Sequence, residues 1–296
     1  MGFSIFTILL PAALALVMFG LGLTLTPGDF HRVVRYPKAA LIALGCQMVV
    51  LPALCLLLVK LFGLTGALAV GMMLLVASPG GTSANLFSHL AGGDVALNIT
   101  LTAINSVLAA FTMPIVIALS VAEFMDDDAS VGLQPAKFVQ VIVIVLVPVA
   151  IGMWVDRAFP RFSERMRRPV KAGSVVVLVM AIIAAVMSEF DTLRDNFGRL
   201  GSITLTLSVL SLSIGYFVPR LFGVGTGQAI ASSMEIGIHN ATLTIAVAVS
   251  ALGNETMAVP GATYGIVMAG PAAIAAYLLA RQAKSTVDRT ASLARA

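Results

Sequence analysis

The residues able to do chemistry gather in three places along an apolar chain. The run SSMEIGIHNATLTIAV, Ser232–Val247, sets Glu235, His239 and Asn240 among aliphatic neighbours. The run SPGGTSANLFSHLAGGDVALNITLT, Ser78–Thr102, places Thr82, Ser83, Asn85, Asn98 and Thr102 behind the breaker Pro79-Gly80-Gly81. Gln47 stands alone in a third apolar stretch. Carboxylate, amide and hydroxyl oxygens, with carbonyls freed by a broken helix, are ligands for a hard cation such as Na⁺. Asn98 and Thr102 are four residues apart and so share one helix face. Glu235 and His239 also make a pair of titrating groups, the set that a proton-coupled carrier would need. The chain has no HExxH and no Gly-x-Ser-x-Gly pattern, so it is not expected to be an enzyme and no cofactor is expected.

The elements that position these groups follow from composition. Of 296 residues 59% are hydrophobic and 11% charged, with a mean hydropathy of +1.00, which no ordinary soluble domain shows. A bilayer core about 30 Å thick takes roughly 20 apolar residues per helix. Uncharged runs of that kind fall at 4–25, 38–60, 66–91, 94–123, 136–156, 170–188, 200–222, 226–252 and 257–280. The expected fold is therefore all-α, a polytopic membrane protein of nine transmembrane helices in a single domain, 1–296. The first run lacks a positive leading region and is too long for a signal peptide, so it reads as the first span. Cys46 and Cys55 lie about 13 Å apart along one helix and are not expected to pair.

Fourteen of the 18 Lys and Arg residues fall on one side of this arrangement and four, Lys60, Lys137, Arg194 and Arg199, on the other. Cytoplasmic loops retain positive charge, so the N-terminus is expected outside and the C-terminus inside a bacterial cytoplasmic membrane. The acidic run Asp126-Asp127-Asp128 then lies in an outer loop, and His31 and His89 lie near inner ends. The net charge of +4 reflects topology, and no nucleic-acid partner is expected.

Nine spans divide as four, one and four, with the two sets of four in opposite orientation. Inverted repeats at about 4–123 and 170–280, linked by the helix 136–156, are the expected organisation. The third and eighth spans then correspond, and both are broken, at Pro79-Gly80-Gly81 and around Gly237. Unwound backbone at membrane depth is tolerated where it is buried in protein or lines a cavity, so matching breaks mark the binding site. Half-helix N-termini direct N–H groups and a positive dipole into that site, which favours a carboxylate. A small organic anion is the expected substrate, approached by Gly80 and Gly81 and hydrogen-bonded by Thr82, Ser83 and Asn240.

FGLGLTLTPGDF (Phe19–Phe30), the Ser78–Thr102 run and MEIGIHNATL (Met234–Leu243) resemble the signature segments of the bile acid:sodium symporter family, in its nine-helix bacterial form. The resemblance implies a panel of outer helices beside a core of two inverted units, here spans two to four and seven to nine, whose broken helices cross. It implies sodium as the coupling ion. One site would use Asn85, Asn98, Thr102 and Glu235. A second would use Gln47, Glu235, the carbonyls of Ile236 and Ile238, and His239. The chain departs from the pattern at three places. Ala84 stands where a Ser commonly precedes the crossing Asn, and His239 stands where Gln is common. The last span, GATYGIVMAGPAAIAAYLL, lacks the His-Asn pair of bile-acid-binding bacterial relatives. A bile-acid-type substrate thus stands beside pantoate-like or keto-acid-like carboxylates, and a proton-coupled carrier using Glu235 and His239 stands beside the sodium symporter.

Overall fold

The computed structural model describes residues 15–20, 22–24, 28, 32–125 and 135–293. Most of the first expected span, part of the Phe19–Phe30 motif, His31 and Asp126–Asp128 lie outside the described residues.

Every regular element described is a helix. Helix α1 runs Pro37–Leu61. Pro37 at its first turn needs no hydrogen-bond acceptor for a missing N–H. Its end is closed by Gly63 in the left-handed region, φ 61°, with Leu64 N donating to Val59 O at 2.9 Å. The next span is two short helices, α2 (Gly66–Ala77) and α3 (Thr82–Leu90). Helix α4 (Val95–Phe124) starts where the Asp94 side chain accepts the Leu97 N–H at 3.0 Å. Helices α5 (Pro135–Ala158), α6 (Pro160–Ser188) and α7 (Phe190–Leu221) follow. A second broken pair, α8 (Thr226–Gly237) and α9 (Ala241–Ser250), precedes α10 (Val259–Val267) and α11 (Ala269–Leu293).

Four segments, Pro37–Leu61, Val95–Phe124, Phe190–Leu221 and Thr256–Gln282, are long and apolar enough to cross a bilayer. The surface carries large apolar side chains such as Leu221, 83% exposed, with Leu41, Leu61, Leu119, Trp154, Met187 and Phe217. The interior holds Gln47, Asn98, Asn105, Glu235 and His239, all buried. Apolar outside and polar inside suits hydrocarbon as the solvent, and the protein is a multi-pass membrane protein. Helices α6 and α7 begin well before the apolar runs 170–188 and 200–222, at Pro160 and Phe190. Hydropathy marks where a chain enters lipid, whereas a helix continues through charged residues as long as its backbone bonds are made.

Helix α7 packs along α8 at short range. A Cβ at Gly215 of α7 would fall 2.7 Å from Ser233 Cα, so only glycine permits this approach. Ser233 donates to Leu212 O at 2.7 Å and ties the pair together. Cys46 and Cys55 are free thiols buried in packing.

Candidate functional site

The two breaks meet. Between α2 and α3 the chain leaves the helix through Ser78–Gly81, and between α8 and α9 through Ile238–Asn240, with Ser78 N and Ile238 N still bonded back to Leu75 O and Met234 O at 3.1 Å. Each supplies the other's missing partners: Gly81 N donates to Ile238 O at 3.0 Å, and Asn240 N donates to Pro79 O at 2.9 Å. The result is an antiparallel bridge between Gly80 and His239. Proline and paired glycines stop α2, and the crossing satisfies the backbone groups they release.

Glu235, in the last turn of α8, is 0% exposed beside this bridge. Its Oε1 accepts from Gly80 N at 3.1 Å and Asn105 Nδ2 at 2.9 Å. Its Oε2 accepts from Asn98 Nδ2 at 3.1 Å and Thr102 Oγ1 at 2.5 Å. Four donors fill the in-plane acceptor positions of one carboxylate. Burying this group without such partners would cost several kcal/mol. No Lys or Arg is bonded to it among the described residues, so its charge is met by dipoles alone.

Four amide oxygens, on Gln47, Asn85, Asn98 and Asn105, are buried without a donor among the described residues. Asn98 and Asn105 give their Nδ2 groups to Glu235, and each keeps a buried Oδ1 with no donor. Gln47 lies in a π-helical turn, Cys46–Val50, a local widening common at functional positions. Its Nε2 donates to Val76 O and Ser78 O, both at 3.1 Å, tying α1 to the first break, and its buried Oε1 has no donor. Asn85, one turn into α3, also has a buried Oδ1 without a donor, but no hydrogen bond ties it to Glu235. A buried amide oxygen left unpaired costs about 1–3 kcal/mol, and a bound Na⁺ would satisfy such oxygens. The residues present therefore fit a hard cation.

His239, 1% exposed, has its ring beside the Ser78 backbone, without a well-formed hydrogen bond on either nitrogen among the described residues, and its ring centroid lies 5.4 Å from that of Tyr264. Tyr264 itself donates to Gly237 O at 2.7 Å, pinning the end of α8. Of the carbonyls expected as ligands, Ile238 O already accepts Gly81 N, while Ile236 lies inside the last turn of α8. Among the expected substrate contacts, Gly80 and Gly81 are buried at the bridge, Thr82 opens α3 and Ser83 is half-buried in its first turn. Asn240 uses its Oδ1 to cap α9, accepting Leu243 N at 3.0 Å, which fixes the side chain and leaves its Nδ2 and one Oδ1 lone pair for a ligand.

Asn105 and Tyr264 escaped the sequence reading. Asn105 was legible in principle, because 98, 102 and 105 follow the 0, 4, 7 spacing of one helix face. Tyr264 had no such signal.

Residues 11–196 match the Sodium Bile acid symporter family. The chain belongs to this family. Its members are carriers, not enzymes. The family protein YocS of Bacillus subtilis (strain 168), an uncharacterized sodium-dependent transporter, is 30% identical over 257 residues, 86% of this chain and 77% of that protein. The probable sodium/metabolite cotransporter BASS2, chloroplastic, of Oryza sativa subsp. japonica is 26% identical over 272 residues, 92% of this chain. This family member spans 64% of the rice protein's length. The ileal sodium/bile acid cotransporter of Oryctolagus cuniculus is 25% identical over 231 residues, 78% of this chain and 66% of the rabbit protein.

Proposed function

We propose that the protein is a secondary active transporter that couples the entry of sodium to the uptake of a small organic anion, a bile-acid-type or a pantoate- or keto-acid-like carboxylate. The observation that carries this reading is the Glu235 carboxylate, buried where two broken helices meet and flanked by amide oxygens that no protein donor satisfies. Family membership supports sodium as the ion. Asn85, Asn98, Thr102 and Glu235 would hold one ion, and Gln47, Glu235, the carbonyls of Ile236 and Ile238, and His239 a second. The anion would sit beside the breaks, at Gly80, Gly81, Thr82, Ser83 and Asn240. Sodium neutralises Glu235 and so removes the repulsion a substrate carboxylate would meet there, which couples the two.

The reading includes nine membrane crossings in a bacterial cytoplasmic membrane, the N-terminus outside, with inverted repeats 4–123 and 170–280 joined by 136–156. Contacts at the two ends support the grouping of these ends by face, while the excess of Lys and Arg on one of them supports its being the inner one. Lys60 pairs with Glu123 at 2.5 Å, and Arg199 donates to Phe62 O at 2.6 Å, all from segments assigned to the outer face. Arg167 pairs with Asp156 at 2.8 Å and donates to Leu23 O, from segments assigned to the inner face.

Thermal stabilisation of the purified protein by a panel of organic acids, in sodium or in choline, tests this function, because a ligand of the folded state stabilises it by mass action. Stabilisation by a carboxylate only when sodium is present is the expected result. Equal stabilisation in both salts would sink sodium coupling. Asn85→Ala is expected to weaken the sodium response, while Cys46→Ala, a packing change, leaves it intact. Equal losses in the two variants would remove the support for Asn85 as a ligand.

One observation favours a second reading, a proton-coupled carrier: two titratable side chains, Glu235 and His239, are both buried at the crossing of the breaks. Gradients separate the two. Under sodium coupling, an inward sodium gradient at constant pH accelerates uptake, and His239→Gln, which restores an amide oxygen, preserves or tightens sodium dependence. Under proton coupling, a pH gradient alone suffices and His239→Gln abolishes the response, since an amide does not titrate. Sodium is favoured, because proton transfer has no use for the oxygens of Asn85, Asn98 and Thr102.

A further inference from the structure

We propose that Asn105 is a ligand of the sodium site, presenting its amide oxygen to the ion while its Nδ2 holds Glu235 in place. The inference rests on the sodium reading above and adds a residue that reading does not contain.

Asn105 is 1% exposed, three residues beyond Thr102 on the same face of α4. Its amide orientation is fixed by chemistry. An ionised carboxylate only accepts, so the Nδ2 group must face Glu235 Oε1, at 2.9 Å, and Oδ1 must point elsewhere. Oδ1 is nonetheless buried and receives no hydrogen bond. Asn98 has the same arrangement on the other carboxylate oxygen, with Nδ2 on Oε2 at 3.1 Å and a buried, unserved Oδ1. Two asparagines two turns apart thus clasp one carboxylate from both sides, and each retains a lone pair with no donor. A pair of orphaned oxygens beside a carboxylate that has no cationic partner is a ligand set for a hard monovalent cation.

The test separates an oxygen ligand from a mere prop for Glu235. Asn105→Leu keeps the volume and removes both amide functions. Asn105→Asp keeps the acceptor oxygen and replaces the Nδ2 donor with a second oxygen, which adds a carboxylate beside Glu235. The readout is sodium-dependent thermal stabilisation of the purified full chain without substrate, titrated against potassium at constant ionic strength. The expected result is a rise of about tenfold or more in the half-saturating sodium concentration for Asn105→Leu, with the Asn105→Asp half-point no higher than the parent's. A half-point in Asn105→Leu equal to the parent's overturns the proposal, as does an equal loss in Leu and Asp, which would reduce Asn105 to a support for Glu235. Should Asn105→Leu fail to fold, Asn105→Ala is read by the same criterion. A parent protein that sodium does not stabilise at all refutes the sodium reading itself, so the two failures are distinguishable.

Discussion

Glu235→Gln is expected to leave a folded protein that no longer accumulates substrate on a sodium gradient. Among the described residues Glu235 is the one buried acidic side chain at the crossing, and both proposed ion positions share it. Removing one partner of a buried charge pair costs about 3–5 kcal/mol, a factor above about 100 in an equilibrium constant. Glutamine fails for a second reason. The site offers four donors, from Gly80 N, Asn98 Nδ2, Asn105 Nδ2 and Thr102 Oγ1. A glutamine amide brings one acceptor and two further donors into that ring. Folding does not depend on the charge, since a neutral amide costs less to bury than a carboxylate. Sodium-gradient uptake in vesicles, with size-exclusion and melting profiles of the same preparation, checks both halves. Normal sodium-driven uptake by the variant would refute the assignment of Glu235.

Gly80→Ala is expected to be nearly as damaging, through geometry and not through charge. A Cβ built on Gly80 falls 2.4 Å from Glu235 Cδ and Oε2, and 2.6 Å from Oε1. The carboxylate cannot swing aside, because its four donors come from α4 and from Gly80 itself. Either the bridge between the breaks opens or Glu235 leaves its clasp. Overpacking of this kind costs about 1–3 kcal/mol, which lowers the melting temperature by several degrees, and the sodium-dependent stabilisation disappears with the displaced carboxylate. Gly81→Ala makes the contrast. The nearest atom to its Cβ is Ser83 Oγ at 3.4 Å, an ordinary contact, so its melting temperature stays near the parent's. Gly80→Ala with parental melting and parental sodium response would show that the two breaks do not hold Glu235 as described.

The linear chain was sufficient for everything that depends on neighbouring residues. Apolar runs of membrane length, the breaker Pro79-Gly80-Gly81, the isolated Glu235 in an aliphatic stretch and the helical spacing of Asn98 and Thr102 are all local patterns, and, within the described residues, they map onto helices, a break and buried side chains in the folded protein. Tertiary structure decided which of these groups meet. Glu235 takes its hydrogen bonds from residues 130 to 155 positions away, and no spacing rule reaches across that distance. The register is set where glycines such as Gly215 let α7 and α8 approach, and where freed N–H groups at one break find carbonyls at the other. The same packing enlisted Asn105 and Tyr264, turned Gln47 toward the carbonyls ending α2 and committed the Asn240 oxygen to a helix cap. Hydropathy and backbone breakers act over a few residues, whereas the relative rotation and depth of two helices is fixed by the whole bundle at once, which is why the ligand types were legible in sequence and their partners were not.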